Sequence, residues 1–250
     1  MNEFLKNLKR IEFVVTLACT GKCKHCSEGD HDSTSEHIDA EIAVESIRSI
    51  CRFYQIKSLM TFGGEPLIYP DVVCAIHKAA ADLKIGKRQL ITNGFFSKKQ
   101  EKIEDTVRNL ADSGINDLLL SVDAFHQETI PSEPVMYFAE CAKNHGVPIR
   151  LQPAWLVSAD DQNPYNLRTK EILRSFDPLR IPLNSGNVII PSGNALKYLR
   201  EYFDDTPDVS SPYDQDPEDI HTISFSPNGN VLNGNVYQED ILSIIRTYRP

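Results

Sequence analysis

The chain has 250 residues, 41% of them hydrophobic, and a formal net charge of −9, a length that fits one α/β domain or a domain with a small appendage. Lys and Arg are scattered, with short pairs such as Lys87-Arg88 and Lys98-Lys99, which argues against a nucleic-acid partner needing concentrated positive charge. No apolar run approaches the roughly 20 residues that cross a bilayer, and the charged opening Met1–Arg10 is unlike a secretory signal, so no membrane partner and a cytoplasmic, thiol-reducing setting are expected.

Along the chain, Ile11-Glu12-Phe13-Val14-Val15-Thr16-Leu17 predicts a buried first strand. It runs directly into the loop Cys19-Thr20-Gly21-Lys22-Cys23-Lys24-His25-Cys26. After a polar stretch from Ser27 to His37, Asp39 is the expected N-cap of a helix that places Ile42, Ile47, Ile50 and Tyr54 on one face. Ser58–Phe62 reads as a second strand ending in Gly63-Gly64-Glu65-Pro66, followed by a helix from about Asp71. A third strand, Gln89–Thr92, closes on Asn93-Gly94. Ser97 and Gln100 predict a capping box for a helix stopping at Gly114. Strand four is Asp117–Asp123, with a Ser132-capped helix after it. Strand five is Val147–Gln152. A helix near Asn166–Phe176, a sixth strand at Asn187–Ile190 and a helix from Asn194 to Phe203 follow. Repeated βα units with buried, non-alternating strands predict a parallel sheet wrapped by helices, every strand ending on one rim. By spacing alone this is either a partial barrel or a doubly wound sheet.

The Pro-, Asp- and Ser-rich segment Asp204–Asp219 reads as a linker. Beyond it, Thr222–Ser226 with Pro227-Asn228-Gly229-Asn230 predicts a hairpin, and Gln238–Tyr248 a short helix. The expected division is a barrel over 1–205 and an extension over 206–250.

Three thiols at such close spacing can converge on one metal centre, and soft thiolates suit iron–sulfur clusters. Zinc held by the same cysteines with His25 is the competing reading of these residues, although zinc sites usually pair two separated ligand clusters. Cys51, Cys74 and Cys141 are isolated, so no second cluster exists. Several disulfides in so tight a loop are disfavoured.

The C-x3-C-x2-C loop, with Gly-Gly-Glu-Pro one βα unit later, resembles the radical S-adenosylmethionine (SAM) superfamily. The resemblance covers roughly residues 11 to 203 and implies an α/β fold, a partial (β/α)6 TIM-type barrel. It implies a [4Fe–4S] cluster held by Cys19, Cys23 and Cys26, with one iron open to SAM. It implies that Gly63, Gly64, Glu65 and Pro66 hold the methionyl amino group. Asn93 would lie near the cofactor, and Ser121 and Asp123 would meet its ribose and methionyl parts. Flavodoxin or ferredoxin would be the electron donor.

Arg150 and Gln152 share one face of strand five by period-two alternation. Inward, they reach the SAM carboxylate and the ribose or substrate; outward, they meet solvent. His126, on the Asp123–Glu128 loop, is a substrate-side catalytic candidate. Trp155 is either a core plug or an aromatic wall. The tail from Ser226 to Val236 resembles a SPASM-type extension without its cysteines, since no cysteine follows Cys141. Three functions fit: maturation of a ribosomally made peptide, radical chemistry on a small metabolite (a sugar, nucleoside or amino acid), or a non-enzymatic zinc or interaction module.

Overall fold

In the computed structural model, which describes residues 2–29, 31, 36–203 and 214–250, the βα alternation is present. The order is β1 (Arg10–Val14), α1 (Ala40–Cys51), β2 (Ser58–Phe62), α2 (Pro70–Asp82), β3 (Lys87–Thr92), α3 (Gln100–Asp112) and β4 (Asp117–Ser121). A one-turn α4 (Ala124–Gln127), α5 (Ser132–Asn144) and β5 (Ile149–Gln152) come next. Then follow β6 (Ala154–Trp155), α6 (Pro164–Ser175), β7 (Asn187–Val188), α7 (Gly193–Tyr198), β8 (Thr222–Phe225), β9 (Asn230–Val231), β10 (Gly234–Asn235) and α8 (Ile241–Thr247).

The main sheet is parallel, in the order β5-β4-β3-β2-β1-β8. Its sixth strand is not the expected one. Asn187–Ile190 supplies only the two-residue β7, which pairs with β6 beside the continuation of β5. Leu183 bridges to Leu151 in the same parallel sense. The place next to β1 goes to β8, which the sequence reading put in the extension; Phe13 and Phe225 stack there at 4.7 Å. Period-two alternation cannot say which neighbour a strand will choose, and β8 is short enough to pass for half of a hairpin. The hairpin itself is β9–β10, one turn later than expected and closed at Leu232, whose φ is 51°. The domain boundary near 205 and residues 204–213 of the linker lie outside the described residues.

One face of the sheet is apolar. Ile11, Phe13, Leu59, Leu90, Leu118, Leu120 and Phe225 are fully buried against helices that pack in series, α8 on α1, α1 on α2, α2 on α3 and α3 on α5. The other face carries a polar ladder. Arg10 pairs with Glu12 (2.6 Å) and donates to Gln89, Gln89 donates to Asp117 (2.7 Å), and Asp117 accepts from Arg150. Strand β1 therefore alternates, contrary to the expected continuous burial, whereas β4 is buried on both faces. Helices covering one face only is the layout of an open barrel, not of a doubly wound sheet.

Asp39 caps α1 as predicted, accepting from the Ile42 N–H at 2.9 Å. Two other predicted caps do not form. Ser97 accepts from the Lys99 N–H instead of capping α3, and Ser132 lies inside α5, after Pro131. For Ser97 the nearer Lys99 N–H takes the oxygen; at α5 the helix starts one residue earlier, so Pro131 holds the cap position. At the far end, the Asn2 amide donates to the carbonyls of Ile245 and Tyr248, tying the beginning of the chain to the end of α8.

Candidate metal and cofactor site

The cysteine loop is built on the end of β1. Val15 still pairs with Phe62, then the Thr16 hydroxyl accepts from the Ala18 N–H and donates to the Glu36 carbonyl, which turns the chain out of the sheet. Gly63 and Gly64 make this turn possible. A Cβ on Gly63 would lie 2.4 Å from the Thr16 carbonyl oxygen, and one on Gly64 would lie 2.2 Å from that of Ala18. The closeness these glycines allow is thus between protein backbones: Gly64 N–H donates to Thr16 and Glu65 N–H to Ala18, both at 2.8 Å.

Glu65 is completely buried. Its Oε1 accepts from the Leu67 N–H (2.9 Å) and the Thr92 hydroxyl (2.6 Å), and its Oε2 from the Asn93 N–H (2.8 Å). Burial raises its carboxyl to about 7, against the pull of these three donors. A carboxylate offers about four acceptor positions, so one remains on Oε2. Asn93 carries the connection onward, its amide lying 3.7 Å from Cys19 Sγ and 3.2 Å from the Thr20 hydroxyl. Cys19 Sγ also accepts from the Gly21 N–H at 3.4 Å.

From the opposite side, α7 clamps the loop. Asn194, buried, donates from its backbone to the Cys26 carbonyl (2.9 Å) and from its amide to the carbonyls of Cys23 and Gly29 (3.2 Å each). A Cβ on Gly193 would meet the Ser27 carbonyl oxygen at 2.3 Å. The sequence carries no signal for this contact, which joins residues 171 positions apart. Burial pushes all three loop thiols up, Cys19 to about 11. Without a cation they stay protonated; a metal ion would draw them to thiolates.

Asp123 and His126 form a unit at the end of β4. Asp123 caps α4: Oδ1 accepts from the N–H groups of Phe125 and His126 (3.0 Å each), and Oδ2 from His126 Nδ1 (2.8 Å) and the Ala154 N–H (3.1 Å). All four acceptor positions are filled, so this carboxylate orients a histidine. Burial drives Asp123 up, but His126 and His25 drive it further down, to about 2; the carboxylate in turn outweighs burial and raises His126. His25 packs against Phe125 and His126, with ring centroids 4.9 and 4.8 Å away, and burial lowers it to about 4. The D-x-x-H spacing, an Asp before a short helix, was the available signal for this cap.

Ser121 and Gln152 are buried register partners on the polar face, Gln152 accepting from Asn184. Arg150 shares that face, but its guanidinium is engaged by Asp117 and Asn184. Asp117 starts β4 and Ser121 ends it, roughly 13 Å apart by strand rise. Arg150 therefore sits low in the ladder, joined to Asp117 and away from the loop. Trp155 is a core plug, donating to the Ser185 carbonyl at 2.8 Å.

The model of the family described as "Radical SAM superfamily" matches residues 13–152. The chain belongs to the radical SAM superfamily. Among curated relatives, probable GTP 3′,8-cyclases of Methanocaldococcus jannaschii and Methanothermobacter marburgensis are 26% and 31% identical over 127 residues. These alignments cover 51% and 49% of this chain but only 40% and 37% of those proteins. Among solved structures, Streptococcus suis SuiB bound to its precursor peptide SuiA aligns over 97% of this chain and 68% of its own, with a TM-score of 0.58 at 15% identity. The enzyme anSMEcpe, with bound AdoMet and Kp18Cys peptide, aligns over 96% and 80%, with a TM-score of 0.59 at 12% identity. These likenesses place the sheet among the partial barrels of the superfamily.

Membership makes this a radical SAM enzyme and implies a [4Fe–4S] cluster and SAM. The donor set suits that cluster. All six cysteines of the chain are free, the three loop thiols are soft ligands on one short segment, and amide donors from Gly21 and Asn93 already point at Cys19 sulfur. Among the described residues, no helix is long and apolar enough to cross a membrane.

Proposed function

We propose that Cys19, Cys23 and Cys26 ligate the cluster and that the enzyme abstracts a hydrogen atom from a peptide. When bound there, the cluster would supply the chemistry of the family, reductive cleavage of SAM with an electron from a flavodoxin or ferredoxin. The chain's own residues hold the parts. Gly63, Gly64 and Pro66 seat the turn beside the loop, and Glu65 offers the free position on Oε2 to the SAM ammonium. Asn93 steadies Cys19. Ser121 and Gln152 line the polar face above the ladder, and His126, held by Asp123, faces the loop from the substrate side. Arg150 keeps that face charge-balanced instead of touching SAM. Residues 206–250 are a SPASM-like extension without thiolate ligands of its own, whose first strand completes the barrel sheet. The protein works in the cytoplasm.

The observation that carries the reading is the convergence of Gly63-Gly64-Glu65, Asn93 and Asn194 on one loop with three free thiols. Peptide as substrate draws support from SuiB and anSMEcpe, both solved with peptides. The ladder agrees, because Arg10 and Arg150 are already neutralised by Glu12 and Asp117, a poor arrangement for a polyphosphate. A second reading, a nucleotide or other small metabolite, is favoured by the curated cyclase relatives. Anaerobic reconstitution of metal-stripped protein tests the enzyme: about four irons per chain and 5′-deoxyadenosine from SAM after dithionite support it, and failure to take up iron or to cleave SAM refutes it. A mass change on a short peptide encoded beside the gene decides for the first substrate reading, and consumption of GTP for the second.

A further inference from the structure

Cys23 belongs to two donor sets. One is the trio of loop thiols. The other is mixed: Cys23, His25 and His126 each bring a ligand atom within 4.8 Å of the other two. Two further observations point to an ion at this second set. His126 Nδ1 is committed to Asp123 Oδ2 at 2.8 Å, leaving Nε2 as the nitrogen for an ion, which is the carboxylate–histidine arrangement that orients metal-binding imidazoles. Asp123 cannot swing away, because Phe125, His126 and Ala154 N–H groups hold both of its oxygens. Independently, His25 Nδ1 is fully buried with no hydrogen-bond partner. An orphaned buried nitrogen is costly unless something outside the hydrogen-bond network satisfies it.

We infer that the cluster-free protein binds a single Zn2+ ion through Cys23, His25 and His126. One thiolate and two imidazoles form a borderline-soft, tetrahedral donor set with a fourth position open to water. Tetrahedral bonds to one S and two N put donor atoms about 3.3–3.6 Å apart, so small side-chain rotations close the site from its 4.8 Å limit. Cys19 and Cys26 take no part. Because Cys23 serves both sets, the zinc form and the cluster form exclude one another, and zinc blocks cluster assembly until it is removed. That exclusion rests on the cluster assignment given above; the zinc site itself does not.

The test is an anaerobic titration of full-length, cluster-free protein with Co2+, then Zn2+ as competitor. One equivalent of Co2+ should give intense tetrahedral d–d bands and a thiolate-to-cobalt charge-transfer band, both erased by Zn2+. Cys23→Ala should abolish the signal, and His126→Gln and His25→Ala should weaken binding at least tenfold. Asp123→Asn, which keeps the side-chain shape, should weaken it about 10- to 100-fold. Cys19→Ala and Cys26→Ala should bind within about twofold of wild type. Iron–sulfide reconstitution should give the opposite pattern, with the cluster lost in Cys19→Ala and retained in His126→Gln. No cobalt bands, or bands lost equally in Cys19→Ala, would overturn the zinc site. Failure of wild type to take up iron would overturn the cluster assignment and leave the cobalt result to stand alone.

Discussion

The two faces of the sheet obey different rules. On the helix side, Ile11, Phe13, Leu59, Leu90 and Leu118 are sealed from water and interchangeable in kind; what matters there is volume. On the other side, Arg10, Gln89, Asp117 and Arg150 are joined donor to acceptor, and at the upper end Asn93, Glu65 and Asp123 each satisfy named partners on other segments. The apolar face makes the protein fold. The polar face and its rim decide what the fold can hold.

The sharpest separation of the two comes from Cys23→Ala. It should abolish both cluster and SAM cleavage while leaving the melting temperature of the cluster-free protein nearly unchanged; iron analysis, deoxyadenosine assay and calorimetry read all three. A brown, active Cys23→Ala protein breaks the distinction. Phe13→Ala should do the reverse, costing about 3–5 kcal/mol in urea unfolding through the lost stack on Phe225. The surviving folded fraction should keep its affinity for iron.

Glu65 sits where the faces meet, and its sign can be worked out. Burial raises its folded-state value to about 7 from an ordinary 4.5. The folded protein therefore keeps the proton longer than the unfolded chain. Its favourable contribution is complete below pH 4.5 and is lost as pH rises to about 7. Glu65→Gln in cluster-free protein should shrink the loss of stability between pH 5 and pH 8 by about 2.5 kcal/mol, measured by denaturant unfolding at both values. It should also weaken SAM binding. An unaltered pH slope contradicts the buried carboxyl. The smallest effect belongs to Asp39→Ala, at about 1 kcal/mol for one lost helix cap, with cluster content unchanged.

The sequence made the apolar face legible because strand and helix periodicity report burial directly; β2 and the succession of the first five strands along the chain follow from it. It also showed which residues gather at the rim, since the cysteine loop and Gly-Gly-Glu-Pro are local. It did not show how they are joined. Asn194 reaches the loop across 171 residues, Asp123 spends its oxygens on a cap, and Arg150 is taken by Asp117. Those are partner choices made in three dimensions. The same limit explains β8: Thr222–Phe225 reads as a strand, but nothing local names β1 as its neighbour.

Everything proposed for the rim depends on three thiols holding a cluster with one iron left for SAM. The direct measurement is the electron paramagnetic resonance spectrum of the dithionite-reduced, reconstituted enzyme before and after SAM is added. A reduced-cluster signal whose shape changes on SAM binding is expected, and no such signal in Cys23→Ala. A spectrum indifferent to SAM would mean that a protein side chain already occupies the fourth iron, and would contradict that assignment.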